Sequence, residues 1–141
     1  MNPDFKTLAE RVAALAAPCR ETDALVWAAV NGWEPVEEDG GILVALAPDR
    51  KVLLGFRSRG EYIAHNGPPL TASVDAVEQV VAEKLPKRSW AIIGAFADGH
   101  PAGFIGRDAG SIDLLFATHA VATAPARALL AAALRAMGQT S

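Results

Sequence analysis

The residues of this chain with the types needed for catalysis or metal binding are few and scattered. Cys19 stands beside Arg20, a cationic neighbour of the kind that favours a thiolate, but it is the only cysteine. One thiol cannot build a thiolate zinc site or an internal disulfide, so the plainer reading is a small side chain packed between helices. His65, His100 and His119 form no His-x-x-x-His or His-x-x-Glu-His pair. Asp98, His100 and Asp108 fall on what read as successive turns of a strand meander, where they could converge as an acid–base or metal site. Turn chemistry alone also accounts for them. Gly99, Gly103 and Gly106 have neither the dinucleotide spacing nor that of a phosphate loop, and no Gly-x-Ser-x-Gly elbow occurs. The expectation is a chain that is not an enzyme and takes no metal and no cofactor.

The remaining chemistry is charge. Arg50, Lys51, Arg57 and Arg59 gather around one hairpin, with Tyr62 and His65 close behind. Such a set could grip an anion or a nucleic acid. Solvated hairpin ends that guard a sheet edge are the alternative. Glu34, Glu37, Glu38 and Asp39 precede it, and they either neutralise the basic patch or dock on it in another copy. Trp33, at a helix exit, is the tryptophan expected to be partly exposed, whereas Trp27 and Trp90 read as core. Trp33, Glu37, Glu38, Asp39, Arg57, Arg59, Tyr62 and His65 are therefore the candidate interaction surface.

Composition narrows the partners. Of 141 residues, 51% are hydrophobic and 21% charged, near globular averages, so a packed core rather than disorder is expected. The formal net charge of −3 lacks the basic excess of a dedicated nucleic-acid binder. Asp4 and Glu10 break any export signal, and no apolar run approaches the roughly 20 residues of a membrane helix. The expected location is the cytoplasm, with no membrane partner.

Something must position these residues, and the apolar periods suggest what. Phe5, Leu8, Val12 and Leu15 make one stripe on a helix over 1–17, capped by Asn2 with Pro3 in its first turn and ended by Pro18. Thr22 reads as the cap of a second helix, which Asn31-Gly32 stops. Residues 34–41 read as an acidic loop. Residues 42–46 and 52–56 read as a strand hairpin, with a short strand around Tyr62-Ile63 as an option. Ser73 caps a third helix whose Val74, Val77, Val81 and Leu85 share a face, closed by Pro86. Three strands at 89–97, 102–106 and 111–118 then form an antiparallel meander. A last helix over 124–137 is capped by Thr123 and stopped by Gly138. The order is α-α-β-β-α-β-β-β-α in one domain over 1–141: a mostly antiparallel α/β (α+β) sheet covered by helices.

Three stretches resemble the phage ABA sandwich domain, a family of small bacteriophage and prophage proteins. They are Pro18-Cys19-Arg20-Glu21-Thr22-Asp23 with its Leu25-Val26-Trp27 helix, Leu70-Thr71-Ala72-Ser73-Val74-Asp75-Ala76, and Ala122-Thr123-Ala124-Pro125-Ala126-Arg127-Ala128-Leu129-Leu130 running on to Ala136. Trp90 falls where the family tends to have a tryptophan. Ala124 departs from the family's Thr-Pro at the start of the last helix, and 34–69 match nothing in it. The resemblance implies an α/β/α sandwich and a phage or prophage origin, and no activity. The resulting expectation is a small binding or accessory protein in a bacterial cell, whose partner is a protein, either its own copy or a host or phage factor. A nucleic-acid accessory role through Arg50–Arg59 and an enzyme site near Asp98, His100 and Asp108 are the alternatives.

Overall fold

The computed structural model describes residues 4–32, 35–38, 42–46, 52–56, 62–65, 68–110, 112–114 and 116–139, those of 35–65 by backbone alone. The chain forms two compact units. One is 19–69 with 1–3, and the other is 4–18 with 70–141, so the second is interrupted in sequence by the first. Both are mixed α/β, with two antiparallel sheets where one was expected.

The interrupting unit holds helix α2 (Arg20–Val30) and strands β1 (Pro35–Glu38), β2 (Ile42–Leu46), β3 (Val52–Phe56) and β4 (Tyr62–His65). The strands pair in chain order, each antiparallel to the last, and α2 lies against β2, β3 and β4. The expected hairpin bounds are met at β2 and β3. The expected acidic loop contains β1, in register with β2 from Pro35↔Ala45 to Glu38↔Ile42. Its Pro-Val-Glu-Glu has little strand propensity of its own, and an edge position tolerates both the proline and the charges. The cap of α2 is Cys19, with no side-chain capping bond, rather than Thr22. Thr22 and Asp23 are buried in the first turn. At the other end the expected stop holds: Gly32 has φ +73, and the Asn31 side-chain amide donates to the Trp27 carbonyl at 2.8 Å.

In the other unit, α1 (Phe5–Ala14) is capped by Asp4 instead of Asn2, and its end at Leu15 comes before Pro18. The Asp4 carboxylate accepts from the Thr7 hydroxyl at 2.6 Å and from the Thr7 amide at 3.0 Å. These two bonds, the hydroxyl first, hold the Asp4 carboxyl below the usual aspartate range, with Lys6 adding attraction. Replacing Thr7 with valine should move the Asp4 titration upward toward the ordinary value, followed by NMR of its carboxyl carbon. A depressed folded pKa stabilises above the unfolded pKa and is lost as pH falls through the folded one. The start of α1 should therefore fray as acid reaches the carboxylate range, and earlier in the valine variant.

Helix α3 (Val74–Lys84) follows expectation. Ser73 accepts from the Ala76 amide, Asp75 and Lys84 sit at the dipole ends that favour them, and Val77, Val80, Val81 and Leu85 are buried. Strands β5 (Trp90–Ala97), β6 (His100–Ile105) and β7 (Thr118–Val121) form the second sheet in that order. Asp98 and Gly99 turn between the first two with φ +52 and +80, the left-handed pair that a two-residue hairpin needs. The third strand is not at 111–118. The amides of Phe116 and Ala117 both donate to the Asp113 carbonyl, closing a turn inside that apolar run, and β7 starts where the turn ends.

Helix α4 (Pro125–Gln139) is the centre of this unit. It touches β5, β6 and β7 on one side and α1 and α3 elsewhere, so it is buried all round from Ala126 to Leu134. Six alanines between Ala126 and Ala136 keep it thin enough for these neighbours. The expected cap and stop both differ. The Thr123 hydroxyl donates to the Leu15 carbonyl and accepts from Arg127, and Gly138 lies inside the helix.

Candidate functional site

Gly103 sets the two faces of the β5–β6–β7 sheet. A Cβ there would lie 2.5 Å from the Leu129 nitrogen and 2.6 Å from the Ala128 carbonyl carbon, so this position faces α4 in backbone contact. Alternation along the strand and the cross-strand register then put Ile92, Ile105 and Ala120 on the α4 side. Phe104, Ala91 and His119 share the opposite side. There the Phe104 ring stacks on His119 at 5.6 Å between centroids, and Phe96 meets Phe104 edge-on at 5.4 Å. Phe96 reaches them because the register shifts between Ile93 and Ala97. Phe104 is buried under these rings, whereas Phe96 is 46% exposed.

The two edges of the sheet differ. At β7 the Arg135 guanidinium donates to the His119 carbonyl at 2.8 Å, and the Thr118 hydroxyl donates to the Gln139 side-chain oxygen at 2.9 Å. Side chains of α4 thus close that edge. At β5 no hydrogen bond to another described residue occupies the outer side.

The segment 106–117 joins β6 to β7 at the end of the sheet away from the Asp98-Gly99 turn. It is pinned at its start. The Ser89 amide and hydroxyl both donate to the Asp108 carbonyl, Arg88 donates to the Gly106 carbonyl, and the Asp108 carboxylate accepts from the Gly110 amide. Beyond the pins, Leu114 is 48% and Phe116 60% exposed, and the Arg107 guanidinium lies 5.4 Å from the Phe116 ring centre.

Two polar features complete the unit. A shallow cleft of about 350 Å³ between α1 and α4 is lined by Lys6, Glu10, Arg135, Gly138 and Gln139. Arg127, 6% exposed, donates to the Thr71 carbonyl at 2.9 Å and to Thr123, while its Nε has no partner among the described residues. Through Thr123, which bonds Leu15, and through Thr71 it ties together the stretches just before the chain leaves this unit at Pro18 and just after it returns at Leu70.

The residues singled out in the sequence fare unevenly. Trp33, Asp39, Arg50, Lys51, Arg57 and Arg59 lie outside the described residues. Glu37 and Glu38 belong to β1 and Tyr62 and His65 to β4, the opposite edges of the four-stranded sheet. Three strand spacings of about 4.8 Å, roughly 14 Å in all, separate those backbones. Asp98 and His100 stand at one end of β6 and Asp108 beyond the other, because consecutive turns of a meander fall at opposite ends of the shared strand. Their convergence is not met, and the described residues hold no group of three or more His, Cys, Asp or Glu able to hold a metal. The exposure of Leu114 and Phe116 is hidden in the sequence because an apolar run reads as a buried strand, and Arg107 precedes that run as an ordinary polar residue. The signal was present in Asp113, a turn-former inside that run.

No described helix is long and apolar enough to cross a membrane. No family model, no curated protein and no solved structure matches the chain.

Proposed function

We propose that this chain is a non-catalytic binding protein of phage or prophage origin, and that the segment 106–117 is the surface with which it holds a partner protein. The observation that carries the reading is Phe116, a large aromatic side chain more than half in water and backed by Arg107. Single exposed apolar residues are ordinary, but Leu114 and Phe116 project from one short, hydrogen-bonded turn. Aromatic and arginine side chains dominate interface energetics, and a pre-ordered loop loses little entropy on binding. The origin rests on the resemblance of the three helical stretches.

The test is capture from a bacterial lysate on the immobilised chain, compared with a Leu114→Ser, Phe116→Ser double variant. A protein held by the parent should be lost from the variant by at least about tenfold, as expected for truncated hot-spot residues. The thermal midpoint should stay the same, since both side chains are exposed. Equal capture by both proteins overturns the reading.

A further inference from the structure

We infer that the outer edge of β5 is a self-pairing edge: it joins the β5 of a second copy of this chain, antiparallel, about a two-fold axis. The inference uses different residues from segment 106–117 and stands or falls without it.

A free strand edge is a row of unpaired amides and carbonyls, and proteins blunt it with lysine, proline or a covering side chain. β7 is blunted in this way by Arg135. Among the described residues, none blunts β5 in this way. It runs for eight residues as Trp-Ala-Ile-Ile-Gly-Ala-Phe-Ala, with no charge and no proline. No side chain of a described residue hydrogen-bonds to it. Its one irregularity, between Ile93 and Ala97, turns Phe96 toward Phe104 on the face of the sheet and leaves Trp90 to Ile93 in regular pairing.

The charges that flank the strand choose the occupant. Lys87 and Arg88 precede it and Asp98 follows it, with Lys87 and Asp98 exposed. An antiparallel pair of identical strands sets the basic end of each beside the acidic end of the other. A parallel pair would set Lys87 beside Lys87 and Asp98 beside Asp98. The strand between is neutral, so its self-contact brings no like charges together. A two-fold contact of this kind is isologous and closed.

Sedimentation of the full chain over a range of concentrations, with zero-length carbodiimide cross-linking, tests this. Within one copy, Lys87 and Asp98 flank the whole of β5, whose Trp90 to Ala97 lie opposite Ile105 to His100 and so span about 17 Å at the usual rise per strand residue. A direct Lys87–Asp98 link can therefore form only between copies. The expected result is a monomer–dimer equilibrium whose dimer carries that link. Ala95→Lys, at an exposed position of the strand, should weaken the dimer at least about tenfold by setting a lysine of each copy toward the basic Lys87 end of the other. Asp98→Asn, which suits the left-handed backbone there, should weaken it a few-fold at low salt. Circular dichroism should match the parent for both variants. A monomer at every concentration overturns the inference. So does a dimer that lacks the link and ignores both variants, or a β5 edge occupied by a strand of a different protein.

Discussion

Gly103→Val is expected to unfold the unit built on α4, or to destabilise it by about 3 kcal/mol or more. The new side chain would enter a contact in which Leu129 and Ala128 present only backbone to the glycine. A flexible side chain could swing aside, but a helix axis cannot move without dragging its other contacts. α4 is held by β5 and β7 and by α1 and α3 as well. Overpacking of a well-filled core costs about 1–3 kcal/mol, and rigid backbone on both sides puts this case at the upper end. Urea unfolding followed by tryptophan fluorescence measures it. Gly94→Val is the control, since nothing lies within 4 Å of a Cβ at that position in the same sheet. It should change stability little. Equal losses at the two positions would show that strand glycine content matters and the approach of α4 does not.

Leu130→Ala should cost about 3–4 kcal/mol in the same measurement. Leu130 is fully buried on a helix whose neighbours surround it. Removing its branched end leaves a void that cannot close without shifting several elements, and buried leucine truncations of this kind fall in about that range. Leu114→Ala, 48% exposed before the change, is the matching surface control and should stay within about 0.5 kcal/mol. A loss at Leu130 no larger than at Leu114 would mean that α4 is not the centre of this unit.

What was legible in the chain was mostly local. Ser73, Asp75 and the valine period of α3 carry their own instructions, as do Asp98-Gly99 and the Asn31-Gly32 stop. Strands β2 and β3 read correctly because their apolar runs are short and bounded by turn residues. The failures share a different cause. β1 has no strand character except the partner that β2 offers it. The run around 112–117 has strand-like apolarity, but the Phe116 and Ala117 amides both donate to the Asp113 carbonyl and close a turn there. Two sheets instead of one, and the interruption of one unit by another, depend on contacts such as Leu15 with Thr123, which no local pattern encodes. The candidate site was the least legible part. The charges of the hairpin are conspicuous in the sequence, but Arg50, Lys51, Arg57 and Arg59 lie outside the described residues. The exposure of Phe116 is not legible, because an exposed phenylalanine and a buried one are written with the same letter.

The bond between Leu15 and Thr123 also sets a timetable. It spans 108 residues, and the whole 19–69 unit is made between its two ends. Translation at roughly 5–20 residues per second leaves α1 about 5–20 s on the ribosome before the start of α4 is made. Through that interval the stripe of Leu8 and Val12 has no α4 to lie against. Throughout that wait the 19–69 segment is free to settle first, so the two units have a natural order of assembly in the direction of synthesis.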